Sequence, residues 1–123
     1  MLLDSNIIIY SAKREYAELR QFLNENLYSV SAVSRIEVLG YPLLGGKERG
    51  YLEKFFEAAS VLASSDLVVA QAVHLRQMRR MSLGDVIVAG TALAHQLDLV
   101  TRNIRDFSWI KGLSLINPFD TLS

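Results

Sequence analysis

The chain has 123 residues with 13 basic and 13 acidic side chains, so overall charge supplies no case for nucleic-acid binding, which must rest on local clustering. Half of it is hydrophobic and 21% charged, the balance of an ordinary globular domain large enough for a real core. There is no cysteine, which excludes disulfides and thiolate–metal sites and suits a reducing cytoplasm. A single domain over residues 1–123 is expected. The opening "MLLDSNIIIY" has no basic stretch ahead of its apolar run, and Asp4 interrupts that run, so it does not read as a secretion signal. The apolar stretch at residues 86–97 is too short to span a bilayer. A cytoplasmic protein with no membrane role is the expectation.

Along the chain, residues 2–4 read as a short buried strand and 5–11 as a helical turn. Residues 16–26 place Leu19, Phe22 and Leu23 at helical spacing, and 27–31 ("LYSVS") alternate like a strand. "SRIEVLGYP" reads as a helix stopped near Gly40 and Pro42. After a loop at Gly45-Gly46, residues 47–59 form a helix carrying Leu52, Phe55 and Phe56, and 60–63 a brief strand. Residues 66–80 are expected as a helix with Leu67, Ala70, Val73, His74 and Met78 turned inward. "SLGDVIVAGTALAHQLD" is a helix of small residues suited to close packing, followed by strands in "LVTRN" and "LSLINPF". Short strands alternating with helices predict an α/β sandwich with a mostly parallel sheet. In such sheets ligands gather beyond the carboxyl ends of the strands, where the strand order switches.

Four acids fall at suggestive places. Asp4 ends the first strand, where an ionised carboxylate among Leu2, Leu3, Ile7 and Ile8 is costly unless compensated. Its plain alternative is an N-cap for the turn that follows. Glu37 lies between Ile36 and Val38; it forms a capping-box pattern with Ser34, but Ser31 directly follows the strand and is the expected cap. Asp85 is the third helical residue after Ser82, another capping-box pattern, with a wholly apolar continuation. Asp106 follows "LVTRN" and has as its alternative a surface pair with Arg102 or Arg105. In a parallel α/β sandwich all four can meet at the carboxyl end of the sheet. Clustered carboxylates raise one another's pKa unless a cation neutralises them, and oxygen donors favour Mg²⁺ or Mn²⁺ over zinc. The two histidines, His74 and His95, fall on helix faces and are read as packed or surface residues.

These places, in this order and over the whole chain, resemble the PIN-domain family, and within it the toxin ribonucleases of VapBC toxin–antitoxin pairs. "LLDSNIIIY", "SVSAVSRIEVLG", "MSLGDVIVAGTAL" and "LDLVTRNIRDF" carry the likeness, and "INPF" is similar to the usual tail. The resemblance implies a metal-dependent endoribonuclease of α/β/α sandwich fold. Asp4, Glu37 and Asp85 would be its principal acids and metal ligands. The fourth position falls to Asp106, with Asn103 in competition because members differ in which place is acidic. Ser5, Asn6, Thr101 and Asn103 stand as site helpers by position. The product would carry a 5′-phosphate and a 3′-hydroxyl, and the substrate would be single-stranded or looped RNA. Arg76, Arg79 and Arg80 in "HLRQMRR", with Arg102 and Arg105, are the candidate phosphate contacts; the plain alternative for the first group is a solvated face paired with Glu53 or Glu57.

The resemblance also implies an antitoxin partner and self-association as a homodimer. Because adjacent helical residues point about 100° apart, one of Phe55 and Phe56 is expected to stay open beside Leu43 or Leu44 as a docking groove. Other readings fare worse. A receiver domain needs adjacent acids after the first strand and a late lysine; a haloacid-type phosphatase needs Asp-x-Asp where Asp4 is followed by Ser5-Asn6. A DNA or flap nuclease of the same family would ordinarily carry large insertions. A non-catalytic PIN scaffold that binds protein or RNA is the main alternative, and retention of every principal acid argues against it.

Overall fold

The computed structural model describes residues 1–121. Five short parallel strands lie in the order β3-β2-β1-β4-β5, where β1 is Leu2–Leu3, β2 Ser29–Ser31, β3 Ser60–Leu62, β4 Leu99–Val100 and β5 Leu115–Ile116. Among the described residues eight helices connect and cover them: α1 Ser5–Ser11, α2 Ala17–Asn24, α3 Ala32–Leu39, α4 Gly46–Ala58, α5 Asp66–Met78, α6 Leu83–His95, α7 Ile104–Phe107 and α8 Pro118–Thr121. None is long and apolar enough to cross a membrane among the described residues.

The central strand explains the layering. Successive strand residues point to opposite faces, so Leu2 and Leu3, both fully buried, enter different cores. Leu2 packs with Leu99, Phe107 and the α5–α6 layer, including Leu75, Val86 and Ala89. Leu3 packs with Ile7, Ile8, Leu19, Val38, Leu52 and Phe56 of the opposite layer. From β1 the chain first builds outward through β2 and β3, then returns to β4 and β5 on the other side. The strand order therefore switches between β1 and β4. Asp4 leaves β1 and Thr101 leaves β4 at that switch.

Local chemistry sets the helix starts. The Ser31 hydroxyl accepts from the Val33 N–H, the Ser65 hydroxyl from Val68 and the Ser82 hydroxyl from Asp85. Ser31 is thus the cap of α3, as expected from its place after the strand, and Ser34 is free for another use. The α1 limits agree with the sequence reading, the strands are shorter than expected, and the short helices α7 and α8 were not foreseen.

Two packing expectations are overturned. Helix α5 buries Val68, Ala72 and Leu75, whereas Leu67, Val73 and Met78 are 58%, 53% and 62% exposed; Ala70 and His74 are also exposed. Both stripes have helical spacing, but the smaller residues face α6 because Gly90 brings the helices into close approach. The Gly90 Cβ position lies 2.9 Å from the Val68 carbonyl oxygen and 3.1 Å from the Ala72 nitrogen. Steric fit, rather than apolar volume, selects the face. The second correction concerns α4: Phe56 is buried and Phe55 is largely covered. Tyr28 supplies the missing cover, stacking on Phe55 at 5.7 Å between ring centres, while Phe56 meets Phe55 edge-on at 5.3 Å. Leu44 also packs on this core, leaving only Leu43 open among the four residues of the expected groove.

Candidate active site

Asp4 occupies the N-cap position of α1 yet makes no side-chain cap bond, so the plain reading of this residue fails. Its carboxylate, 5% exposed, accepts a 2.9 Å hydrogen bond from the Thr101 hydroxyl. The Asn103 N–H donates to that same hydroxyl oxygen at 3.0 Å. With its oxygen taken as an acceptor there, Thr101 directs its single proton to Asp4. Burial pushes the Asp4 pKa up to about 6 despite this bond, and the charges of Asp85 and Glu37 push in the same direction.

Glu37 is exposed rather than enclosed, because Ile36 beside it faces solvent at 73% and only Val38 turns into the core. What fixes it is Ser5, whose hydroxyl donates to Glu37 Oε1 at 2.8 Å and lies 2.8 Å from the hydroxyl of fully buried Ser34. Asp85 is half-buried in the first turn of α6, where its N–H donates to Ser82 Oγ at 3.1 Å. Burial raises its pKa; a hydrogen bond from the Ser82 side chain to its carboxylate opposes the rise, and the charges of Glu37 and Asp106 add to it. Asp106 is exposed on α7 and accepts a 2.6 Å hydrogen bond from Asn103 Nδ2. Its alternative as an arginine pair is not realised: no lysine or arginine ion-pairs with any of the four acids among the described residues.

Next to these acids lies a cleft of about 420 Å³, lined by Asp85 and Asp106 together with Arg79, Arg80, Arg105 and Trp109. The Arg79 guanidinium sits 4.9 Å above the Trp109 ring, an arrangement that holds a cation without neutralising it. Arg102 turns elsewhere, over Phe119 at 4.5 Å and Tyr10 at 5.5 Å. Arg76 is exposed and lines no part of this cleft. Asn6 is likewise exposed, with no side-chain hydrogen bond among the described residues.

The profile of the PIN domain family matches residues 1–113. The chain belongs to the PIN domain family. Across 91% of its length it is 31% identical to the tRNA(fMet)-specific endonuclease VapC of Shigella flexneri, 92% of which is covered. Among solved structures, a toxin–antitoxin complex from Klebsiella pneumoniae contains a chain 28% identical, with a TM-score of 0.75 and coverage of 95% and 96%. VapBC2 of Rickettsia felis, bound to a promoter DNA fragment, is 21% identical at a TM-score of 0.81, covering 94% and 96%; at that identity it speaks for the PIN fold alone.

Donor chemistry tests whether this PIN site suits a hard divalent cation. The available donors are carboxylate and hydroxyl oxygens, and the acids carry no basic partner. Burial, reinforced by the charges of Asp85 and Glu37, holds the Asp4 pKa at about 6. These features fit a Mg²⁺- or Mn²⁺-class ion. Among the described residues no three acidic or histidine side chains form a closed ligand set. Both histidines are exposed and apart from the acids. Sequence reasoning missed Ser34, Gly84 and Trp109. A serine no longer needed as a cap and a glycine inside a helix's first turn were the available signals for the first two.

Proposed function

We propose that the protein is a divalent-metal-dependent endoribonuclease acting as the toxin of a toxin–antitoxin pair. The observation that carries this reading is the set of four acids whose charges bear on one another, none ion-paired with a lysine or arginine among the described residues, at the strand-order switch of a PIN fold. Asp4 and Asp85 would hold the ion, with Glu37 and Asp106 at its margin. Bound there, Mg²⁺ or Mn²⁺ supplies positive charge to a phosphate oxygen and acidifies water.

The chain's own residues supply the rest. Thr101 orients the Asp4 carboxylate, and Asn103 fixes both Thr101 and Asp106. Glu37, tethered by Ser5, accepts the proton of the water that attacks phosphorus. The new P–O bond forms in line as the P–O3′ bond breaks, and the departing 3′-oxygen takes up a proton. The products are a 5′-phosphate and a 3′-hydroxyl. Arg79, Arg80 and Arg105 hold backbone phosphates in the adjoining cleft, leaving Arg76 and Arg102 outside the proposed contact surface.

The antitoxin would cover exposed Ile36 and Leu83, which neighbour Glu37 and the first turn of α6, and bring a basic side chain to the acids. Leu67, Val73 and Met78 on the open face of α5 supply apolar surface for a homodimer. The Shigella relative is named for tRNA(fMet), so that RNA is the first substrate to try, beside a generic looped RNA. Purified protein should cut at least one of them in Mg²⁺ or Mn²⁺, stop in EDTA and resume on metal replenishment. Cleavage that persists through chelation would overturn the reading.

A further inference from the structure

The first turn of α6 carries a glycine whose missing side chain has a specific consequence. A Cβ on Gly84 would overlap Glu37 Oε2, and would lie 2.8 Å from the carboxylate carbon and 3.0 Å from Oε1. The space is therefore filled by the Glu37 carboxylate, which crosses from α3 to rest against the α6 backbone one residue before Asp85. From the other side the same carboxylate is held by Ser5, itself placed against buried Ser34. Glycine is a poor occupant of a helix by intrinsic preference, costing about 1 kcal/mol relative to alanine. Gly84 is half-buried, and the three atoms nearest its Cβ position all belong to Glu37. At Gly90, by contrast, the nearest atoms are backbone atoms of α5.

We infer that Gly84 is a positioning residue that sets where the Glu37 carboxylate stands relative to Asp85. It touches no reacting atom; it acts by leaving room. This inference rests on the nuclease reading above and adds to it a residue outside the acid set. The atoms a methyl group would meet at this place are the far end of the flexible Glu37 side chain, which can move aside. Gly84→Ala should therefore displace the carboxylate while leaving the fold intact.

The test is a cycle of Gly84→Ala, Glu37→Ala and the double variant, with wild type alongside. Each protein is measured for kcat and KM on a cleavable RNA, for Mn²⁺ affinity by calorimetry, and for Tm without metal. Gly84→Ala should lower kcat roughly tenfold to a hundredfold, the scale of a misplaced reacting group, with KM little changed and Tm not lowered. In the Glu37→Ala background the same substitution should change neither kcat nor Mn²⁺ affinity, because the carboxylate it displaces is gone. Equal losses in both backgrounds, or a Tm lowered in both, would overturn the inference in favour of a plain backbone role. Full activity of Gly84→Ala would overturn it as well. A wild type that neither binds Mn²⁺ nor cuts RNA would instead overturn the nuclease reading itself, so the two failures are distinct.

Discussion

Asp4→Asn should abolish RNA cleavage, by a thousandfold or more on the scale of removing a principal charged group from a catalytic centre, and at the same time make the metal-free protein more stable. The two effects have one cause. In the folded chain Asp4 is buried beside Asp85 and Glu37, and its pKa rises from 3.8 to about 6. Below pH 4 the group is protonated whether the chain is folded or not, and it contributes nothing. Between 4 and 6 the folded chain retains a proton that the unfolded chain has released. Above 6 both forms are ionised and the folded state carries the full cost, about 3 kcal/mol for a shift of this size. Stability thus falls as pH rises through that window. Asparagine keeps an oxygen for the Thr101 hydroxyl but carries no charge. At pH 7.5 without metal, the Asp4→Asn protein should be up to about 3 kcal/mol more stable than wild type, with little difference in this respect at pH 4. Chemical denaturation at the two pH values reads this out. A variant less stable than wild type at pH 7.5 would mean that Asp4 already has its compensation within the chain.

Gly90→Ala is expected to have the largest purely structural effect. Its Cβ would meet the Val68 carbonyl oxygen at 2.9 Å and the Ala72 nitrogen at 3.1 Å, both backbone atoms of α5. Neither can rotate aside, so α5 and α6 must separate and lose contacts across the Leu75, Val86 and Ala89 core. Overpacking of this kind costs about 1–3 kcal/mol. For a domain of this length the Tm should fall by roughly 5–15 °C. The contrast with Gly84→Ala is instructive, since both glycines lie on α6 and only one abuts a flexible neighbour. An unchanged Tm for Gly90→Ala would show that the helices are less closely packed than described.

Much of the fold could be read from residue order. Strand-like and helical stretches alternate, serines stand at the helix starts, and a carboxylate ends the first strand, which suffices for a parallel sandwich with its ligands at the strand ends. Helix α5 was misread because periodicity offered two apolar stripes and cannot tell which one meets a glycine on another helix. The Phe55–Phe56 groove was misread because a single helix cannot reveal that Tyr28, from a different part of the chain, covers the second ring. For the acids, spacing indicated their shared end of the sheet. It could not show that Thr101 bonds Asp4, that Ser5 bonds Glu37, or that Arg102 turns to Phe119 while Arg79, Arg80 and Arg105 stay with Asp85. Those are long-range pairings, set by how the layers pack.

The most direct test of a hard-cation centre built on these carboxylates is a calorimetric titration of Mn²⁺ into wild type and Asp85→Asn at pH 7.5, repeated on wild type at pH 5. At pH 7.5 wild type should bind with Asp4 already ionised. At pH 5 the affinity should fall and protons should be released on binding, because Asp4 with a pKa of about 6 must first give one up. Asp85→Asn should bind much more weakly at pH 7.5. Equal affinity for Mn²⁺ in wild type and Asp85→Asn, with no change between pH 7.5 and pH 5, would contradict the account.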